Sequence, residues 1–318
     1  MNPPDLLTRV QRLRSQREPF VLATVVRAER PTSAKPGDSA LVLPDGTVDG
    51  FVGGACAEAT VRLQGLKALR TGESTLLRIT PDPDGDDPRP VEPGAATARS
   101  VADPVDAREN EGLVTVANPC LSGGTLEIFL AAMLPPPLVH VFGDGPVARA
   151  MATLGTALDY AVTLTTDPEL PVPADAVAVV VASHGRDEER VLTDALRAGV
   201  PYVALVASRR RGAAVRAGLN LDETEEARLH TPAGLDIGAR SAPEVALSIF
   251  AEVIASRPRV ATEPAAAELP QTALDPVCGM TVAITADALR LDVDGHTWYF
   301  CGTGCRAAFA AAPERYSA

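Results

Sequence analysis

The sequence lacks long apolar runs and any excess of positive charge. No stretch approaches the roughly 20 consecutive apolar residues of a membrane-spanning helix, and residues 1–20 contain no apolar signal core. We therefore expect a cytoplasmic protein without a membrane span. Acidic residues outnumber basic ones by 41 to 29, which gives a formal net charge of −12 and argues against duplex nucleic acid as a partner.

Cysteine is also scarce, and its number is odd. Four of the five cysteines have glycines within a few residues, whereas structural cysteines usually have bulky apolar neighbours. Because no secretion signal is evident, a disulfide scaffold is disfavoured and reduced thiols are expected. The candidate site thiols are Cys56, Cys120, Cys278, Cys301 and Cys305.

The length of 318 residues, 46% of them hydrophobic, is enough for about two domains with sizeable cores. Residues 1–134 alternate apolar strands with turns, and a hairpin at 40–52 has Asp45-Gly46 in its turn. A helix is predicted to follow this hairpin and to stop at Gly72. Residues 81–111 hold six prolines, nine acidic residues and three arginines, which predicts a disordered insertion.

The second half of the chain alternates buried β-branched strands with amphipathic helices over residues 135–258. This alternation predicts a doubly wound parallel sheet. Residues 259–272 are rich in proline and alanine and predict a linker. Residues 273–318 are too few for a strong core, which favours stabilisation by a bound metal. The predicted strands are 138–142, 161–165, 176–182 and 202–206, and the predicted helices are 146–158, 187–198, 209–218 and 242–256.

A glycine-rich turn follows the first of these strands, with the G-x-G-x-x-A pattern of residues 143–148 (GDGPVA). Gly143 and Gly145 would let a pyrophosphate approach the helix N-terminus. Asp167, after the second strand, is the acid expected to hold a ribose. Nucleotide binding and a sheet of this type without nucleotide both stay open.

Two further strand ends carry candidate binding residues. His184 follows the third strand, and Arg209 begins a run of three arginines after the fourth. Because the carboxyl ends of parallel strands line one crevice, we expect His184 to line it and Arg209 to meet phosphate. The alternatives are a solvated loop histidine and a solvated basic helix start.

Two Gly-Gly turns lie beside thiols in the first 134 residues. Gly53-Gly54 precedes Cys56, and Cys120 precedes Gly123-Gly124. Exposed N–H groups in such turns hold oxyanions or pyrophosphates, and a thiol at a helix N-terminus has a lowered pKa. Such a thiol ligates a soft metal or carries sulfur. The alternative is two glycine turns beside buried thiols.

The remaining three cysteines form the third constellation. Cys301 and Cys305 are four positions apart at a predicted helix start and so share one helix face. A hairpin turn at Asp294-Gly295 is expected to bring Cys278 beside them. Three thiolates, with a fourth position for a group such as His296, suit zinc or another soft metal. A small thiol-lined core without metal is the alternative.

Together these motifs resemble known families. Residues 1–258 resemble accessory proteins of the XdhC/CoxI type, which serve molybdenum hydroxylases. The likeness is carried by SAKPGDSALVLPDGTVDGFVGGACAE, by the C-x-S-G-G-x-L-E-I segment at 120–128, and by VFGDGPVARA, YVALVASRRR and PAGLDIGARSAPEVALSIFAEVIA. Residues 273–318 resemble a YHS domain through DPVCGM, WYFCGTGC, Phe309 and PERY.

The resemblance implies an α/β chain with three folded parts. These are a mixed α/β domain at 1–134, a Rossmann-like domain at 135–258, and a small ββα-type metal-binding-like domain at 273–318. The implied function is a maturation factor, more a chaperone than an enzyme. It would bind the molybdenum cofactor, assist its sulfuration and insert it into an apo molybdenum hydroxylase of the xanthine or carbon monoxide dehydrogenase type.

The resemblance also implies partners and site residues. A cysteine desulfurase and a second copy of the chain, in a homodimer, are the implied partners besides the apoenzyme. Zinc or another soft metal would bind Cys278, Cys301 and Cys305. Cofactor binding is assigned to Lys35, Gly53, Gly54, Cys56, Cys120, Ser122, Gly123, Gly124, Gly143, Gly145, His184 and Arg209.

Two other functions stay open on the sequence. The glycine-rich turn at 143–148, with His184 as acid or base, would suit an NAD(P)-dependent oxidoreductase. The C-terminal cysteines would suit a metal-sensing or metal-trafficking protein.

Overall fold

The structure is a computed structural model that describes residues 3–81, 108–110, 112–117, 124–257 and 271–316. The chain divides into two compact units, Met1–Pro135 with Ala266–Ala318 and Pro136–Ala265. None of the helices in the described ranges combines the length and the hydropathy that crossing a bilayer requires.

The first unit contains a seven-stranded mixed sheet and two helices in its N-terminal part. The strands are β1 (Phe20–Glu29), β2 (Ser39–Val42), β3 (Val48–Gly50), β4 (Thr75–Thr80), β5 (Arg108–Asn110), β6 (Leu113–Ala117) and β7 (Thr125–Met133), and the helices are α1 (Pro3–Ser15) and α2 (Ala55–Thr71). The sheet order is β3-β2-β1-β7-β4-β6-β5. Strands β4 and β6 run parallel, and the other neighbouring strands described in this sheet run antiparallel.

Helix α2 covers this sheet and lies where the sequence predicted a helix. Gly72 ends it in the left-handed conformation (φ 73) and donates its N–H to Ala68. Within α2, a Cβ on Gly65 would lie 2.9 Å from Val42 Cγ2, so glycine allows helix and sheet to approach closely. Val61 is fully buried in the core formed with strand residues such as Val42.

The expectation of disorder over 81–111 is wrong at its C-terminal end. Residues 108–110 form β5, which pairs antiparallel with β6. The short strand has no β-pattern of its own, and it forms by pairing with its apolar neighbour. Residues 82–107 lie outside the described residues.

The second unit is a parallel sheet with helices on both faces, as the sequence predicted. Every strand pair is parallel, and the sheet order is β12-β11-β10-β8-β9. The strands are β8 (Leu138–Phe142), β9 (Ala161–Thr165), β10 (Ala176–Val181), β11 (Tyr202–Leu205) and β12 (Leu229–His230). The helices are α3 (Pro146–Ala157), α4 (Glu188–Arg197), α5 (Arg209–Gly218), α6 (Glu223–Arg228) and α7 (Ala242–Ala255).

Both faces of the parallel sheet are buried. Met151 of α3 and Phe250 of α7 pack on one face, and Leu192 and Leu196 of α4 pack on the other. All residues of β8 and β11 are buried, which explains why both are mainly apolar, with His140 as a buried polar residue of β8. In chain order the strands are arranged 2-1-3-4-5, so the topological switch point lies between β8 and β10.

The C-terminal segment belongs to the first unit and contains two hairpins and a helix. The elements are β13 (Thr272–Leu274), β14 (Thr281–Ala283), β15 (Leu289–Val293), β16 (His296–Phe300) and α8 (Thr303–Ala311). Asp294 and Gly295 both have positive φ in the β15–β16 turn, as the hairpin motif predicted. Phe309 of α8 is fully buried and packs against Trp298 and Phe300 of β16.

Candidate functional site

The carboxyl ends of β8 and β10 bring two of the predicted site motifs together. Gly143 has φ 134, and a Cβ there would lie 2.4 Å from the carbonyl oxygen of Ala182, so only glycine permits this approach. Gly145 caps α3 without a side-chain hydrogen bond. A Cβ on Gly145 would lie 3.0 Å from His184 Nε2. The imidazole therefore lies directly beside the open N-terminus of α3.

The loop after β10 is held in a strained conformation by a buried acid. His184, Gly185 and Asp187 have φ values of 56, 102 and 50. Glu188 is 5% exposed; it accepts the Gly185 N–H at 2.7 Å and forms an ion pair with Arg211. Sequence reasoning missed Glu188, although it lies only four residues after the predicted site residue His184. This contact fixes the position of His184.

The three consecutive arginines do not act as one group. Arg209 is exposed, and its Nη2 lies 2.7 Å from Asp236 Oδ2. Arg211, two residues later, is the member that reaches the loop after β10. Near the glycine turn, Arg186 Nη2 lies 3.6 Å from Asp144 Oδ1 and offsets that acidic charge. Arg186 and Arg211 are thus two cations at this crevice, and Arg149 is a third, because it donates to the carbonyl oxygen of Asp144.

A cavity of about 320 Å³ lies between the loop after β9 and α4. Asp167, the expected ribose acid, lines it, and its Oδ1 accepts the Glu169 N–H at 2.9 Å. His140 also lines the cavity; its Nδ1 lies 2.8 Å from Thr163 Oγ1, and burial lowers the pKa of this histidine. Arg190 and Glu169 also line the cavity, and the hydrogen bond from Arg190 holds the pKa of Glu169 below its usual range.

In the first unit, the Gly-Gly turn before α2 positions a thiol at the helix start. Gly53 is buried with φ 136, and a Cβ there would lie 3.0 Å from Ala57 Cβ. Gly54 is exposed and caps α2 without a side-chain hydrogen bond, and Cys56 is the second helical residue. Lys35 is exposed in the turn before β2, where its N–H donates to Asp38 Oδ2.

The second Gly-Gly turn is only partly described. A Cβ on Gly124 would lie 2.3 Å from the carbonyl oxygen of Pro31, so this residue must be glycine. Cys120, Ser122 and Gly123 lie outside the described residues, and their assignment stays a prediction.

The C-terminal cysteines meet in one cluster, and a fourth thiol joins them. Cys301 Sγ lies 3.6 Å from Cys278 Sγ, 3.7 Å from Cys305 Sγ and 3.9 Å from Cys56 Sγ. We call these four thiols the four-sulfur cluster. None of the four is in a disulfide. The three predicted metal ligands are thus side by side, and the contact with Cys56 was not foreseen.

Hydrogen bonding inside the four-sulfur cluster separates the pKa values of its thiols. A hydrogen bond from Cys301 lowers the pKa of Cys278, and hydrogen bonds to Cys278 and Cys56 raise the pKa of Cys301. Burial raises the pKa of Cys305 to about 12. Cys301 and Cys305 therefore favour the thiol form, and a soft cation would be needed to ionise them.

The proposed fourth ligand His296 is wrong. Its ring lies 4.5 Å from the Trp298 ring at the start of β16, whereas Cys301 follows the end of that strand. Five strand residues span roughly 16 Å at about 3.3 Å each. Asp275 is the acid at the cluster: it has no exposed surface, and its Oδ2 accepts the Cys301 N–H at 2.8 Å. Sequence reasoning missed it, although it is the first residue of DPVCGM.

Comparison with known families agrees with these domains. The XdhC and CoxI family matches residues 13–80, and the XdhC Rossmann domain matches residues 139–253. These two ranges of the chain are thus similar to the two domains of XdhC and CoxI family proteins. A YHS domain matches residues 273–318.

Several known proteins are similar to this chain. An uncharacterized Escherichia coli (strain K12) protein, YqeB, is 24% identical, with 79% of this chain and 46% of that protein covered. A protein of Bacillus subtilis (strain 168) named as a probable subunit of xanthine dehydrogenase is 26% identical, with 43% of this chain and 48% of that protein covered. The chain thus spans about half the length of these two relatives.

Two further similarities are more limited. A copper-transporting P-type ATPase of Rhizobium leguminosarum bv. viciae is 50% identical over 42 residues, which are 13% of this chain and 5% of that protein. A crystal structure described as a xanthine dehydrogenase from Bacillus halodurans matches with 16% identity and a TM-score of 0.35, covering 83% of this chain and 98% of that chain.

Proposed function

We propose that this chain is a maturation factor that binds the molybdenum cofactor, assists its sulfuration and delivers it to an apo molybdenum hydroxylase. The matches to the XdhC and CoxI family and to the XdhC Rossmann domain support the general role, and one similar protein is named as a probable subunit of xanthine dehydrogenase. A cysteine desulfurase is the proposed source of sulfur. The functional form is proposed to be a homodimer.

The observation that carries the proposal is the crevice at the start of α3. The first N–H groups of a helix attract phosphate, and Gly145 leaves this helix end without a side-chain cap. His184 Nε2 lies directly beside it, and Arg211 is held at the adjoining loop by Glu188. A phosphorylated pterin, with or without an attached nucleotide, carries the anionic group that such a crevice binds.

The thiol at the start of α2 supports the sulfur chemistry. The positive end of a helix favours a thiolate over a thiol, and Cys56 is the second residue of α2. Gly53 and Gly54 leave the backbone before it free of bulky side chains. We propose that Cys56 contacts the metal centre of the cofactor or carries its sulfur.

The test is an anaerobic titration with isolated molybdenum cofactor, scored by molybdenum and pterin retained after gel filtration. We expect close to one cofactor per chain, and the elution volume reports the homodimer. Gly145→Ala should weaken binding at least tenfold, because the new methyl group would lie against His184. Gly218→Ala is the matched control, since its methyl group would make only ordinary contact with Glu189. No retention by the folded wild-type protein would refute the proposal.

Dinucleotide binding is the second candidate, favoured by the cavity beside Asp167. Calorimetric titration with NAD(H) and NADP(H) tests it on the same samples. A heat signal that Gly145→Ala abolishes would support an oxidoreductase, and no heat signal would exclude this candidate.

A further inference from the structure

The three sulfur–sulfur distances that Cys301 makes in the four-sulfur cluster match the edges of a tetrahedral thiolate site. With metal–sulfur bonds of about 2.3 Å, the edges of a tetrahedron of sulfurs around zinc are about 3.8 Å. The three distances from Cys301 Sγ, to the sulfurs of Cys278, Cys305 and Cys56, are 3.6, 3.7 and 3.9 Å. Cys56 Sγ therefore lies nearly as close to Cys301 Sγ as the sulfurs of Cys278 and Cys305 do.

Cys56 is held there by a packed contact between α2 and the C-terminal segment. Ala59, one turn after Cys56, is buried with Met280 and Val282. A Cβ on Gly302 would lie 3.1 Å from Ala55 Cβ, so the turn after β16 lies against the start of α2. The approach of the two thiols thus follows from a buried apolar surface around them.

Polar contacts extend the same surface beyond the sulfurs. Arg62 of α2 donates to the carbonyl oxygen of Gly46 and lies 3.9 Å from Asp287 Oδ2. A Cβ on Gly46 would lie 2.5 Å from Thr285 Cγ2, so the C-terminal segment also packs against the β2–β3 turn. The C-terminal segment therefore contacts both α2 and the turn beside it.

The acid at the cluster is already engaged by the backbone. Asp275 Oδ2 accepts the Cys301 N–H at 2.8 Å, and Oδ1 accepts the Val277 N–H at 2.9 Å. Both bonds orient the loops that carry Cys278 and Cys301. Asp275 is thus a positioning residue, and the fourth ligand position is left to a sulfur.

Two helix ends offset the negative charge that four thiolates would bring. Cys56 is the second residue of α2, and Cys305 is the third residue of α8. Neither helix has a side-chain hydrogen bond at its N-cap, so no capping side chain offsets the partial positive charge of the first turn that carries each sulfur.

We propose that Cys56, Cys278, Cys301 and Cys305 bind one soft metal ion, zinc in the first instance, and that this ion clamps the C-terminal segment onto α2. The four thiols release their protons to solvent as the four metal–sulfur bonds form, and no oxidant or reductant is required. The inference does not depend on cofactor binding, because its test contains no molybdenum cofactor.

The test is titration of the full-length, reduced protein with zinc, followed by X-ray absorption at the zinc edge. We expect one zinc per chain with four sulfur neighbours. Cys56→Ser should leave three sulfurs and one lighter atom, with a Kd raised at least tenfold. Ala307→Ser, exposed on α8, adds the same hydroxyl near the cluster without removing a sulfur and should match the wild type. Three sulfurs in the wild type, or four in Cys56→Ser, would overturn the proposal.

A second measurement uses the unaltered chain in case Cys56→Ser fails to fold. Zinc should slow alkylation of Cys56 by iodoacetamide together with that of the three C-terminal cysteines, as read by peptide mass spectrometry. Equal alkylation of Cys56 with and without zinc would contradict the shared site. Binding of copper(I) by the C-terminal cysteines with no zinc uptake would do so too, because a tetrahedral four-thiolate site favours zinc.

Discussion

The two units assemble their candidate sites in different ways. In the second unit, the crevice is formed by consecutive strand-to-helix turns of one parallel sheet, between β8 and β10. In the first unit, the four-sulfur cluster joins Cys56 to Cys301, 245 positions later in the chain. A parallel sheet places its strand ends by topology alone, whereas the sulfur cluster depends on where a small segment docks.

The units also differ in what stabilises them. The parallel sheet is buried on both faces by long apolar side chains. The C-terminal segment has a small aromatic core around Phe309 and a second contact around the sulfurs. We therefore expect metal to matter greatly to the C-terminal segment and little to the parallel sheet.

Metal removal should have the largest effect and should separate the two units. Structural zinc sites contribute on the order of 10 kcal/mol to folding. A chelator should therefore greatly accelerate amide hydrogen exchange in residues 271–316 and leave residues 136–257 unchanged. Cys301→Ser, which lacks the central sulfur, should show no further change with chelator. Equal acceleration in both units would contradict the distinction.

Phe250→Ala should destabilise the second unit alone. Its ring has no exposed surface and packs edge-on against Tyr160 with centroids 5.1 Å apart. Loss of such a ring costs about 3–5 kcal/mol, measured as the free energy of unfolding in urea. Leu247→Ala on the same helix, 48% exposed, should change it by less than about 0.5 kcal/mol. A lower zinc affinity of the Phe250→Ala variant would contradict the expectation that the two units are stabilised independently.

Glu188→Ala should increase local opening of the loop after β10 and lower the free energy of unfolding of the second unit only moderately. The variant leaves the Gly185 N–H without its acceptor and Arg211 without its ion pair, at a cost of about 1–3 kcal/mol. Faster hydrogen exchange in residues 183–187 and weaker cofactor retention are expected. Glu189→Ala, exposed on the same helix, is the control. Unchanged exchange in the loop would show that Glu188 does not position His184.

The smallest effect concerns pH and also belongs to the second unit. Burial lowers the pKa of His140 from its usual 6.5, so below that pH the unfolded chain binds more protons than the folded one. Stability should therefore fall as the pH drops below about 6.5 toward the folded pKa. Urea midpoints between pH 5.5 and 7.5 should show this slope. His140→Gln should flatten it, and exposed His296→Gln should not.

The sequence predicted the parallel sheet well because its signals are local. Four of the five strands, β8 to β11, were predicted from short, mainly apolar runs, whereas the two-residue strand β12 was not predicted. The glycines at 143 and 145 mark the turn that ends β8. The contact between His184 and Gly145 follows from the general rule for strand ends. By contrast, Glu188 acts through a buried ion pair, and no periodicity reveals which acid after a helix cap will turn inward.

In the first unit, the features that the sequence did not predict depend on contacts between distant parts of the chain. Helix α1 had a readable signal, since Leu6, Val10 and Leu13 lie at helical spacing and pack together. The approach of Cys56 to Cys301 had none. No local sequence pattern predicts which surface of α2 the 46-residue C-terminal segment will cover. The error over His296 has a related cause. His296 and Cys301 are only five positions apart in the sequence, but the extended strand β16 places them at opposite ends.

The start of α2 is common to two chemistries. Cys56 is proposed both to touch the molybdenum cofactor and to complete the zinc site, and one sulfur bound within a tetrahedral zinc site is closed to the cofactor. The two ligands would then compete, and each would lower the affinity of the other by the same factor. The zinc concentration would thereby set what fraction of the chains can bind the cofactor. The C-terminal segment would take part in this competition, because it supplies the other three sulfurs of the zinc site.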